Sequence, residues 1–127
     1  MKWFQPNEYR CRGPQPCNAP KEFDPQLAAL LDDLRDRVQR PLIIASGLRC
    51  APWNAEQGGE PDSRHLTGRA VDLRVTDPFE RWLLLAALLI RPSEEAPFVE
   101  VSPHHIHWDL DWRDPAAKQP LLILGRG

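Results

Sequence analysis

The chain predicts an α+β domain: a small, mainly antiparallel sheet with helices packed on it. Three observations carry that expectation. Two helix-type stretches each open on an Asp-Pro pair, Asp24-Pro25 and Asp77-Pro78. Short β-type runs lie between and after them. The resulting order is helix, strand, loop, strand, helix, strand, strand, without the strict alternation that a parallel α/β sheet needs. With 127 residues, 42% of them hydrophobic and 27% charged, residues 1–127 are expected to form a single domain with a real core.

Residues 1–22 are rich in Pro, Asn and Cys and predict an irregular lead-in. Asp24 suits an N-cap, and Pro25 at the first helical position gives up no needed hydrogen bond. Leu27, Leu30, Leu31, Leu34 and Val38 then recur at helical spacing, with Asp32, Asp33, Arg35 and Asp36 on the other side. Pro41 is expected to end this helix. Leu42-Ile43-Ile44-Ala45 predicts a short buried strand, and residues 46–62 a long loop.

Ala70-Val71-Asp72-Leu73-Arg74-Val75 predicts a second strand, with Ala70, Asp72 and Arg74 on one face. Asp77 and Glu80 form a capping-box pattern. The helix they open runs through Trp82 to about Ile90, stops at Pro92, and is apolar nearly all round, so it is expected to be well buried. Phe98-Val99-Glu100-Val101 and Ile106-His107-Trp108-Asp109-Leu110 predict two strands about a Pro103 turn. Leu121-Leu122-Ile123-Leu124 predicts a last one.

Composition narrows the function. A net charge of −2 gives no support for nucleic-acid binding. The longest apolar run, Trp82 to Ile90, falls far short of the ~20 residues that span a bilayer, so no membrane insertion is expected. Residues 1–8 lack the apolar stretch of a secretory signal. The expectation is synthesis as a soluble cytoplasmic protein. Cys11, Cys17 and Cys50 make an odd count without a C-x-x-C pair. Reduced, partly buried thiols are expected, with a disulfide or a small second metal site as the alternatives. Cys50 directly follows Ser46-Gly47-Leu48-Arg49 and so brings the lead-in near that segment.

All four histidines lie in two segments, Ser63-Arg64-His65-Leu66-Thr67-Gly68-Arg69-Ala70-Val71-Asp72 and His104-His105-Ile106-His107-Trp108-Asp109. A His, carboxylate, His set binds Zn²⁺ and leaves a fourth position open for water. Gly68 can take positive φ and turn the chain back, so that a loop histidine and a strand carboxylate approach one point. On a strand, His105 and His107 face one way, with Ile106 and Trp108 turned to the core. One of the two histidines can ligate a metal while the other faces the reacting groups. Asp109 or Asp111 can accept a hydrogen bond from a ligand histidine's other N–H, or both are exposed strand-end charges.

These segments, with Ser46-Gly47-Leu48-Arg49, Asn54 and Gly58-Gly59, resemble the zinc D-Ala-D-Ala carboxypeptidase family. That family includes vancomycin-resistance dipeptidases, phage L-Ala–D-Glu endopeptidases and the hedgehog signalling domain. The resemblance covers roughly residues 23–112, and its S-x-H-x-x-G-x-A-x-D core is highly specific. It implies a hedgehog/DD-peptidase-like sheet with helices on one face, zinc as cofactor, and His65, Asp72 and His107 as its ligands. It further implies a peptidoglycan stem peptide as substrate, cut at a D-Ala-D-Ala bond, an L-Ala–D-Glu bond or a cross-link. Arg49 then holds the scissile carbonyl or a substrate carboxylate, with Ser63 and Asn54 as further substrate-side residues.

A zinc peptidase also needs a group that takes the water's proton and returns it to the leaving amine. Glu100, seven residues before His107, is the expected choice because it is a carboxylate. His104, at the position where the vancomycin-type dipeptidases carry Glu, and His105 are the alternatives. A phage-type lysis enzyme or a virion-associated murein hydrolase fits the lack of a signal. The competing reading is a zinc-stabilised binding module without turnover, as the hedgehog domain exemplifies.

Overall fold

The computed structural model describes residues 1–90, 98–111 and 121–124. Its lead-in is more ordered than the composition suggests. A one-turn helix, α1 (Pro6–Tyr9), is opened by Gln5 and Glu8, whose carboxylate accepts the Gln5 N–H at 2.6 Å. Phe4 and Tyr9 are buried, and the Tyr9 ring meets Phe23 at 4.9 Å between centroids. The Asp32 carboxylate accepts the backbone N–H groups of Lys2 and Trp3 at 2.8 and 3.1 Å. Two aromatic anchors therefore make the lead-in part of the core, a signal that the prolines and cysteines obscured.

The first long helix, α2 (Pro25–Val38), starts as predicted, with the Asp24 carboxylate accepting the Gln26 N–H at 2.9 Å. Its buried stripe is Leu27, Leu31, Leu34 and Val38. It ends before Pro41, at Gln39, which adopts left-handed φ of 54° and donates its N–H to Arg35 O. Strand β1 (Ile44–Ser46) follows. The expected 46–62 loop contains a short helix, α3 (Ala51–Glu56). Pro52 lies in its first turn, where a missing N–H costs nothing, so a residue that suggests a loop instead starts a helix. Next come a 3₁₀ turn over Arg64–Thr67 and strand β2 (Ala70–Arg74).

Helix α4 (Pro78–Ile90) forms where expected, with Asp77 accepting the Glu80 N–H at 2.7 Å. Its predicted burial is only half right. Leu84 and Leu88 are buried, but Phe79 and Trp82 are 60% and 64% exposed. The reason is packing on one side: α4 lies against α2, where Arg37 donates to Ala87 O at 2.6 Å, and no described element covers its outer face. The last strands are β3 (Phe98–Val101), β4 (His105–Asp109) and β5 (Leu121–Leu124).

The five strands are ordered β1-β2-β4-β3-β5. All neighbours are antiparallel except β3 and β5, which run parallel. Register sets the site, because Asp72 and Glu100 both pair with His107 from opposite sides, and Arg74 pairs with His105. The alternation of strand side chains does the rest. Val71, Leu73, Val99, Ile106 and Trp108 join one buried cluster with Leu27, Leu31, Leu34 and Leu84. Each such fully buried side chain contributes roughly 1.5–3 kcal/mol. Asp72, Glu100, His105 and His107 are left on the other face.

Candidate metal centre

His65 reaches the sheet through a tight turn. Ser63 accepts the His65 N–H at 3.2 Å and opens the 3₁₀ turn, and Gly68 closes it with φ of 73°. That left-handed conformation suits glycine, and a Cβ there would meet Glu22 O at 3.0 Å. His65 is 2% exposed, and its Nδ1 lies 2.7 Å from Gly47 O. A carbonyl only accepts, so Nδ1 donates its hydrogen there and Nε2 is the nitrogen turned towards the sheet. His65 Nε2 faces Asp72 Oδ1 at 3.3 Å.

His107 is arranged the opposite way round. Its Nε2 donates to Asp109 Oδ2 at 2.7 Å, and its Nδ1 lies 2.8 Å from Asp72 Oδ1. Asp109 is fully buried, accepts the Asp111 N–H at 2.9 Å through its other oxygen, and so presents a fixed acceptor to the ring. One ligand atom each from His65, Asp72 and His107 thus lies within 4.8 Å of the others. This donor set fits zinc: two imidazole nitrogens and a carboxylate oxygen converge, while each ring's second nitrogen is held from behind.

Burial, hydrogen bonding and charge act together on the two groups at the centre of the cluster. Burial opposes the charged form of Asp72, but hydrogen bonds from His107 and His65 and their charge hold its carboxyl well below the usual range. Burial also opposes charge on His107, yet its hydrogen bonds to Asp109 and Asp72 push its pKa up to about 9.

Arg49 is 8% exposed and locked by three neighbours. It donates to Ser46 Oγ at 2.9 Å, Asn54 Oδ1 at 3.0 Å and Asp72 Oδ2 at 3.4 Å. Asn54 was expected on the substrate side. The structure instead buries it to 2%, with Oδ1 taken by Arg49 and its amide donating to Glu60 O at 2.8 Å. It positions the guanidinium, and Gly59 makes room for it, since a Cβ there would fall 2.1 Å from Asn54 Oδ1.

A cavity of about 430 Å³ opens above these groups. Arg49, Ser63, His65, Asp72, Glu100, His105 and His107 line it. His105 Nε2 stands 3.9 Å from Asp72 Oδ2. His104 is not brought to this cavity. It is exposed and borders a different cleft, beside Arg81, Trp82 and Pro103, because adjacent residues at a strand start face opposite ways.

Asp111 is not a free strand-end charge. It pairs with Arg64 at 2.7 Å and Arg69 at 3.1 Å, and Arg69 reaches Asp24 at 2.8 Å. This network clamps the His65 turn between α2 and the end of β4. Sequence reasoning missed it, along with the Gly47 carbonyl. The first needed the tertiary pairing of distant charges, and the second is a backbone atom with no side-chain signal.

A His-Asp-His set at the floor of an open cavity, on a mainly antiparallel sheet backed by helices, suits a metal-dependent hydrolase. The family model of Peptidase M15 matches residues 3–109, and the chain belongs to this family of zinc peptidases. The match begins well before residue 23, in keeping with the packed lead-in. No curated protein matches the chain.

Proposed function

We propose that the chain is a zinc-dependent peptidase that cleaves peptidoglycan stem peptides, at a D-Ala-D-Ala or L-Ala–D-Glu bond or at a cross-link. The observation that carries this reading is the convergence of His65 Nε2, Asp72 Oδ1 and His107 Nδ1 at the floor of the cavity that Arg49 and Glu100 also line. Stem peptides carry free carboxylates, and Arg49 and Arg64 line the same cavity, which suits such a substrate.

Zn²⁺, when bound, supplies the Lewis acidity that activates a water and polarises a carbonyl. The protein's own groups do the rest. Glu100 stands on β3 opposite His107, where its carboxylate takes the proton of the attacking water and returns it to the leaving amine. Arg49 has five N–H groups, more than its three partners use, so it keeps its place while donating to the carbonyl oxygen or a terminal carboxylate. Gly47 O and Asp109 accept the N–H groups on the far side of the two rings, so His65 Nε2 and His107 Nδ1 are the nitrogens that would hold the metal.

The test is hydrolysis of purified stem peptides by zinc-loaded protein, followed by mass spectrometry. Wild type should cut one bond, and Glu100→Gln should lower the rate by about 10²–10⁴-fold with zinc content unchanged. Intact peptides with zinc-loaded wild type would favour a binding role and defeat the proposal.

A further inference from the structure

Cys11, Cys17 and Cys50 come together far apart in sequence. Their sulfurs all lie within 4.8 Å of one another, and Cys11 Sγ is 3.7 Å from Cys50 Sγ. Two thiolates bound tetrahedrally to one zinc, at Zn–S of about 2.3 Å, sit about 3.8 Å apart. All three cysteines are free thiols. An odd set of three does not close as disulfides, whereas one ion satisfies every member. Backbone hydrogen bonds from Ala19 and Trp53 reach Cys17 and Cys50.

We propose that Cys11, Cys17 and Cys50 bind a second, structural Zn²⁺ that fastens the lead-in to the segment carrying Arg49. Cys17 and Cys50 line a cavity of about 440 Å³ together with Asn18 and Glu56, from which a water or the Glu56 carboxylate would complete the shell. Binding releases the thiol protons to solvent. Cys50 is the residue after Arg49, and Leu48 donates to Tyr9 O at 2.8 Å, so the ion reinforces an existing lead-in contact beside the guanidinium. This cluster shares no ligand with the His-Asp-His centre.

The experiment is zinc analysis of reduced, zinc-dialysed protein, with cobalt substitution as an independent readout. His65→Ala should retain one zinc per chain, and His65→Ala with Cys17→Ser should retain none. Cobalt in the His65→Ala protein should show sulfur-to-cobalt charge transfer, a band that the His-Asp-His centre cannot give. Thiol titration needs no variant: zinc should shield the thiols of wild type, and a chelator should release them. Thiols that react equally with and without zinc, or a Cys11–Cys50 disulfide in protein lacking this zinc, would overturn the proposal. Loss of the first site alone would leave the cobalt–thiolate band in place, so the two readings fail separately.

Discussion

Asp109 holds His107 by a 2.7 Å hydrogen bond to Nε2, from a side chain that is fully buried. The bond fixes which nitrogen of the ring is left for the metal. Asp109→Asn keeps the shape but weakens the acceptor and permits the wrong orientation. Zinc affinity should fall by about 10–100-fold, measured by competition with a chromophoric chelator. Unchanged affinity would mean that Asp109 serves packing alone.

Arg49→Lys keeps the charge and loses the fork. A single ammonium cannot meet Ser46, Asn54 and Asp72 together. We expect kcat/KM on a stem peptide to drop by about 10²-fold or more, with zinc content retained.

Asn54→Ala removes the acceptor of Arg49 Nη1 and the donor to Glu60 O in a buried place. Stability should fall by about 1–3 kcal/mol, read from the denaturant midpoint, and activity should fall with it as Arg49 loosens.

Asp111 gives a pH prediction. Burial raises its pKa, but Arg69 and Arg64 outweigh that and hold it below the ordinary carboxyl value. A depressed folded pKa contributes stability that is fully present above the unfolded value of about 3.9. It is lost as pH falls through the folded one. Asp111→Asn should therefore be less stable than wild type at neutral pH, with the gap narrowing on acidification. A gap that stays constant down the acid limb would contradict the ion-pair account.

The sheet and its two long helices were legible because each has a local cause: Asp24 and Asp77 as caps, leucines at helical spacing, alternation in β2 and β4. The grouping of His65, Asp72 and His107 was legible because three side chains of unusual type fall in a specific pattern. What stayed hidden depends on distant partners. The lead-in folds because Tyr9 finds Phe23 and because Asp32 captures the backbone of Lys2 and Trp3. α3 was masked by a proline that helices accept in their first turn. The exposure of Trp82 follows from the one-sided packing of α4, whose outer face none of the described elements covers, and hydropathy alone does not reveal it. His104 and His105 are neighbours of equal chemistry, and only the strand start at His105 separates the one lining the cavity from the one outside it.

The most direct test of the His65-Asp72-His107 centre is elemental zinc analysis of wild type beside His65→Ala, both purified in zinc and folded by circular dichroism. The account predicts that wild type carries one zinc per chain more than His65→Ala. Equal zinc in the two proteins, or none in wild type, would contradict it.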